Sequence, residues 1–204
     1  ITPAVNQPVI VSTAVGKALK GGSQSGNEME PGDHIMMTKS AGLEGTGIIA
    51  CDYEQKLKEV LSEDELIRAK SFLDKVSVVK EGTAAGQVGT HGMHDITEGG
   101  ILGAVWEMCQ ISERGAVVWK DRIPIEKETE KVCRFFDIDP LRLISSGAMV
   151  IIVPKDKADL MEQTMKSAGV ECSMIGKIEE KEKGIMLEDG GEFKEVETPY
   201  ADEI

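Results

Sequence analysis

Met93-His94-Asp95-Ile96-Thr97-Glu98-Gly99-Gly100 is the stretch on which the reading of this chain turns. From Glu98 onward Ile101, Leu102, Val105, Met108 and Cys109 keep helical spacing, with their apolar groups on one face. The pattern predicts a loop over 90–97 leading into a helix. Asp95 would cap that helix, and Glu98 would lie in its first turn against the positive end of the dipole. Gly115 is placed to stop it. Adjacent glycines in a first turn remove the Cβ atoms that stand between a ligand and the backbone amides, which suits an anion. They equally suit close packing against a neighbouring strand, and the spacing leaves both readings open.

Toward the N-terminus, Ser62-Glu63-Asp64-Glu65 has the form of a capping box, ahead of Leu66, Ala69, Phe72, Leu73 and Val76 at helical intervals. Gly42-Leu43-Glu44-Gly45-Thr46-Gly47 is a second glycine-rich approach to a helix, in which Thr46 reads either as a phosphate donor or as a residue buried in the first turn. Pro31-Gly32-Asp33 makes a turn before a strand over His34–Thr38, and Val9–Val15 is a β-branched, strand-like run followed by the glycine-rich Gly21–Asn27. Because the chain opens on Ile1 and runs directly into that strand, residues 1–31 are expected to be a strand and linker left from a preceding domain, and 32–204 the domain proper.

Toward the C-terminus, Ala116–Trp119 reads as a strand, Pro124 precedes a helix ending near Phe136, and Asp139-Pro140 breaks the pattern. Ser145-Ser146-Gly147 leads into a buried strand over Ala148–Val153; it either borders a substrate pocket or is only a tight approach to that strand. Lys155–Ala168 is amphipathic, with Leu160, Met161 and Met165 inward and Gly169 as its stop. Two or three strands close the chain, with Asp189-Gly190-Gly191 as a hairpin turn. Helices and strands alternate without strict βαβ order, which predicts an α/β (α+β) domain: a mixed β-sheet with flanking helices.

Composition bounds the function. The net charge of −13 over 204 residues repels phosphodiester backbones and argues against nucleic acid as a partner. A small phosphate ligand is compatible with it, since glycine-rich turns bind anions through backbone amides. The longest strongly apolar stretch, Ala148–Val153, is too short to cross a bilayer, and no secretory pattern opens the chain, so no membrane partner and a cytoplasmic location are expected. Cys51, Cys109, Cys133 and Cys172 lie far apart without a CxxC pair, and His34, His91 and His94 do not complete a zinc set with them. No metal site is read, and small buried thiols are expected. His91 is expected in an exposed loop, and Trp106 and Trp119 in packing.

The ordered set Gly32-Asp33, Thr38-Lys39, Gly42-Leu43-Glu44-Gly45-Thr46, Met93–Gly100, Ile123-Pro124, Asp139-Pro140 and Ser145-Ser146-Gly147-Ala148-Met149 resembles the C-terminal domain of the aminoimidazole-ribonucleotide (AIR) synthase-related superfamily. That superfamily includes formylglycinamide-ribonucleotide amidotransferase, selenophosphate synthetase, thiamine-monophosphate kinase and the hydrogenase-maturation carbamoyl dehydratase; the last and its relatives are the nearest in flavour. The resemblance implies a two-domain protomer. Its N-terminal domain would hold ATP and Mg2+ and form a homodimer, and its C-terminal domain would close over phosphates and a small-molecule substrate. Residues 1–31 would then be a remnant of the ATP-binding domain. The implied chemistry is phosphorylation of a carbonyl- or amide-type substrate, in hydrogenase maturation for the nearest members. A non-catalytic phosphate- or nucleotide-binding module of the same fold is the alternative. The resemblance marks His94 and Asp95 as catalytic candidates, with His94 read either as a proton donor or as a histidine satisfied by backbone bonds, and Thr97, Gly99, Gly100, Gly42, Gly45 and Thr46 as cofactor-binding candidates. Two departures stand out: Glu98 replaces an arginine found in many carbamoyl-dehydratase relatives, and the sequence closes Tyr200-Ala201-Asp202-Glu203-Ile204, without the terminal cysteine that carries the carbamoyl group.

Overall fold

An uninterrupted run such as Met149-Val150-Ile151-Ile152-Val153 presents apolar groups to both sides of a strand, so a sheet containing it needs cover on both faces. The computed structural model, which describes residues 10–13, 15, 26 and 28–198, supplies that cover. The strands are β1 (His34–Thr38), β2 (Gly92–Asp95), β3 (Gly115–Trp119), β4 (Met149–Val153), β5 (Cys172–Glu179), β6 (Ile185–Asp189) and β7 (Glu192–Glu195). They form one seven-stranded sheet in the order β2-β4-β1-β5-β3-β6-β7, antiparallel except for the parallel β3–β6 pair. The helices are α1 (Leu43–Asp52), α2 (Glu54–Leu57), α3 (Glu63–Ser71), α4 (Val79–Val88), α5 (Gly100–Ser112), α6 (Lys127–Phe136) and α7 (Ala158–Ser167). The mixed sheet with flanking helices is the architecture expected from the sequence.

Strand alternation sorts the core into two layers. Ile35 and Met37 of β1 and Val150 and Ile152 of β4 face α5, packing with Ile101, Leu102, Val105 and Met108. Met36 and Met149, Ile151 and Val153 face the other way, against Ala84 and Ala85 of α4 and Met161 and Met165 of α7. A third cluster joins α1, α3 and α6 through Ile49, Leu66, Ala69, Val132 and Leu143. The Ser62 hydroxyl accepts from the Glu65 amide while the Glu65 carboxylate accepts from the Ser62 amide, so the predicted capping box is present.

Several local expectations are corrected. The stretch 90–97 is not all loop: β2 occupies Gly92–Asp95, because its backbone pairs with the inner strand β4. Asp95 therefore ends a strand and caps nothing; Gly99, in a left-handed conformation, takes the cap position of α5, and Glu98 lies outside the helix. Gly115 begins β3 instead of ending α5, whose cap is Glu113 at φ 54°. A Cβ at Gly115 would lie 2.5 Å from the Glu180 carbonyl oxygen, which explains the glycine. Leu160 is half exposed, since Met161 and Met165 alone define the inward face of α7. Two of the four cysteines, Cys109 and Cys133, are buried, Cys172 is intermediate and Cys51 is exposed. His91 is tied down by the Asp33 carboxylate, Nδ1 to Oδ2 2.6 Å. Of the strand expected over Val9–Val15, residues 10–13 and 15 are described; they belong to no strand and are exposed, and the rest, with most of 16–27, lies outside the described residues.

Gly100 is one of the positions where the packing leaves no room for a side chain. Its φ is +60°, and a Cβ there would sit 2.5 Å from the Leu141 carbonyl oxygen and 2.7 Å from the Arg142 carbonyl carbon. Both obstacles are backbone, which has no rotamer to yield. Gly100→Ala is expected to destabilise the chain by about 2–4 kcal/mol through strain and overpacking, read as a lower urea midpoint with an unchanged m-value.

Candidate functional site

β1 and β2 both run antiparallel to β4, so they run parallel to each other and end at the same end of the sheet. Val150 of β4 pairs with Met37 on one side and His94 on the other, and the preceding residue, Met149, pairs with Asp95 and donates its amide to the Thr38 hydroxyl oxygen at 3.0 Å. The two strand-to-helix turns singled out in the sequence are thereby brought to one rim: Lys39–Thr46 at the start of α1 and Asp95–Gly100 at the start of α5. Residues 141–148, which lead into β4, run between them.

This intervening loop occupies the helix starts. Leu102 N donates to Leu141 O at 3.2 Å, Gly45 N to Ile144 O at 3.0 Å, and Gly42 N to the Ser145 hydroxyl. Within the turns themselves, Gly100 N donates to Thr97 O at 3.1 Å, Gly103 N to Gly99 O at 2.9 Å and Thr46 N to Gly42 O at 2.9 Å. A Cβ at Gly45 would collide with Leu143, and one at Gly42 would lie 2.9 Å from Thr129 Cγ2. Thr46 is fully buried, its hydroxyl 2.9 Å from that of Thr129. Of the two readings of these glycines, close packing is what all three display, against the Leu141–Arg142 backbone at Gly100 and against the Leu143 and Thr129 side chains at Gly42 and Gly45, and Thr46 is the buried first-turn residue. Ser145 is likewise buried, held between Gly42 and the Leu143 carbonyl.

Three of the amides expected to cradle phosphates, those of Gly42, Gly45 and Leu102, are therefore taken by protein acceptors. No group of three or more His, Cys, Asp or Glu among the described residues is placed to hold a metal ion. Among the described residues, the donors at this rim do not by themselves fit a magnesium-bound nucleoside triphosphate.

What the rim leaves accessible is side chains. His94 is 27% exposed, with Nδ1 against the Asp95 carbonyl and Nε2 3.1 Å from Glu107 Oε2. Asp95 and Glu98 are exposed, Thr97 is half-buried, and Gly99 is buried beneath them. The rim also gains a residue that the sequence analysis did not single out. Lys39, just past β1, has φ +54° and sends its ammonium toward Gly147 and Glu81. The only sequence signal for it was its place in the Thr38-Lys39 pair; neither its backbone conformation nor its partners, more than a hundred positions away in the case of Gly147, are local. Lys39 lines two adjoining cavities, of about 470 and 590 Å3, with Gly169, Val170 and Glu171 shared between them. Cys172 borders the second, but burial, with the Glu162 carboxylate adding to it, pushes its thiol up to about 12, so it stays protonated and is a poor nucleophile at neutral pH.

Residues 30–188 match the family model described as AIR synthase related protein, C-terminal domain. A putative hydrogenase expression/formation protein of Methanocaldococcus jannaschii is 27% identical over 204 residues, covering 96% of this chain and 57% of that protein. Carbamoyl dehydratase HypE of Azotobacter vinelandii is 26% identical, covering 94% of this chain and 52% of its own length. The crystal structure of E. coli HypE superposes with a TM-score of 0.74 at 20% identity, over 88% of this chain and 53% of that one. A thiamine monophosphate kinase from Aquifex aeolicus superposes at 0.62 and 14% identity, over 84% and 54%. These structural likenesses show the fold, and the chain spans about half the length of the relatives it matches. No helix among the described residues is long and apolar enough to cross a membrane.

The thiols give a direct check on the burial around this rim. At pH 8 iodoacetamide is expected to label the exposed Cys51 and to leave Cys109 and Cys172, both pushed up to about 12 by burial, unmodified until urea unfolds the chain. Mass spectrometry of tryptic peptides reads the order.

Proposed function

This chain belongs to the AIR synthase related family, as its C-terminal domain, and on that premise we propose that it is the substrate-side portion of an ATP-dependent enzyme that phosphorylates a small carbonyl- or amide-type substrate. The observation that carries this is the convergence at one sheet end of the two turns that the family match covers, with His94, Asp95 and Thr97 accessible there. Hydrogenase maturation is the setting favoured by the names of the relatives, several of which are called carbamoyl dehydratase or hydrogenase expression/formation protein.

In this reading ATP and Mg2+ are held by a part of the protein outside this chain, since the Gly42, Gly45 and Leu102 amides at the starts of α1 and α5 are taken by the 141–145 loop. This chain supplies polar groups that orient the acceptor. His94 is the candidate for moving a proton, with Glu107 on Nε2 fixing the ring. Asp95, next to it on the open edge of β2, is the candidate acceptor for a substrate N–H or O–H. The partners are a small molecule and a second copy of the whole protein, paired through the portion outside this chain.

A second reading rests on Glu98. It is exposed beside the turn where many carbamoyl-dehydratase relatives have arginine, and an anion there disfavours a phosphorylated or carboxylated ligand. Such a rim suits a module that keeps the fold and has lost the reaction.

The intact protein decides between them. Magnesium-dependent ATP hydrolysis is expected, with His94→Ala and Asp95→Asn each lowering kcat by about a hundredfold at unchanged stability. ATP binding in calorimetry without turnover selects the second reading, and absence of both binding and turnover removes both.

A further inference from the structure

Lys39 adopts φ +54°, a conformation that a non-glycine residue keeps only when its surroundings hold it there. What holds it is the ammonium. Nζ donates to the carbonyl oxygens of Lys75 and Ser77, each at 2.9 Å, and of Gly147 at 2.6 Å, and lies 2.8 Å from Glu81 Oε1. An ammonium on a side chain has three hydrogens, so four oxygens exceed its donors. The arrangement is a coordination shell, not a set of matched pairs.

The shell does not depend on the lysine for its shape. Lys75 and Ser77 belong to the stretch between α3 and α4, and Gly147 to the turn before β4. Gly147 has φ +101° and lies so close to the Lys75 carbonyl that a Cβ would collide with it, so backbone packing fixes these oxygens. Glu81, on the first turn of α4, is 2% exposed, and its second oxygen has no hydrogen-bond partner among the described residues. A carboxylate at that depth requires a cation beside it. The site is also reachable: the Lys39 side chain keeps 21% of its exposure and lines the two cavities described above.

We propose that these four oxygens form a built site for a monovalent cation of ammonium size, which the chain fills with its own Lys39 amine, and that free ammonium enters the site when that amine is removed. The tethered amine makes the native chain indifferent to dissolved ions and ties the turn before β4 to the stretch before α4. Lys39 is thus a positioning residue for one side of the rim, and the inference stands independently of the ATP-dependent reading.

Lys39→Gly is the informative variant, because glycine adopts the left-handed conformation without strain and the change removes only the side chain. Thermal unfolding of the 204-residue chain is followed in ammonium, sodium and tetramethylammonium chloride at equal ionic strength. The native chain is expected to show the same Tm in all three. Lys39→Gly is expected to melt lower in sodium and to regain about 3–6 °C in ammonium at ten times its dissociation constant, a gain lost in the Lys39→Gly/Glu81→Gln double variant. Equal melting of Lys39→Gly in the three salts overturns the proposal, as does an ammonium response that survives neutralisation of Glu81. If Lys39→Gly does not fold in sodium, refolding yield replaces Tm: recovery in ammonium alone supports the site, and recovery in neither salt overturns it.

Discussion

The loop from Leu141 to Gly147 has to reach β4 through a space already claimed by the starts of two helices, and it does so where side chains are missing. At Gly100 its backbone passes within 3 Å of where a Cβ would stand, and at Gly42 and Gly45 its Leu143 side chain fills the same kind of gap. The passage is stabilising because it is reciprocal. Helix first turns have amides without intrahelical partners, and the loop has carbonyls and a serine hydroxyl that would otherwise be buried unpaired; Leu141, Ile144 and Ser145 meet Leu102, Gly45 and Gly42. The two leucines of the loop then enter different cores, Leu141 the one under α5 and Leu143 the one among α1, α3 and α6. One segment thereby fixes two helices and two hydrophobic clusters relative to β4.

That solution shapes the candidate site. Gly42, Gly45 and Gly100, which on sequence grounds suited an anion, are used for internal packing, and the groups the rim leaves accessible are side chains: His94, Asp95, Thr97 and Lys39. Its electrostatics are mixed. Asp95, Glu98 and Glu107 lie on the β2–α5 side, while Lys39, on the β1 side, is matched by Glu81 and three carbonyls. A rim of this kind orients a polar acceptor more readily than it neutralises several phosphate charges. This is in keeping with the proposal that the nucleotide is held outside this chain, which spans about half the length of the relatives it matches.

Sequence periodicity succeeded where burial is set by one element alone. β1, β3, α6 and the strands after Gly169 were legible because apolar spacing and turn residues agree within a few positions, and the capping box at Ser62–Glu65 closes on itself. It failed where a distant partner decides. β2 is four residues of mixed polarity that become a strand only because β4 offers an unpaired edge. α4, Val79–Val88, was not foreseen, since two glycines and a threonine interrupt it and its buried apolar residues are two alanines, Ala84 and Ala85.

The sequence by itself determined the family, the mixed sheet with its flanking helices, and the two glycine-rich turns as the places where chain geometry is special. These follow from local rules: side-chain period, capping chemistry and the left-handed freedom of glycine. Only the tertiary structure decided what the glycines are for, because a missing Cβ is the same invitation to a ligand and to a neighbouring backbone. Here residues 141–145, about forty positions from one turn and a hundred from the other, arrived as the neighbour. The same non-locality made Lys39 visible only in three dimensions, where oxygens from three separate segments surround one amine.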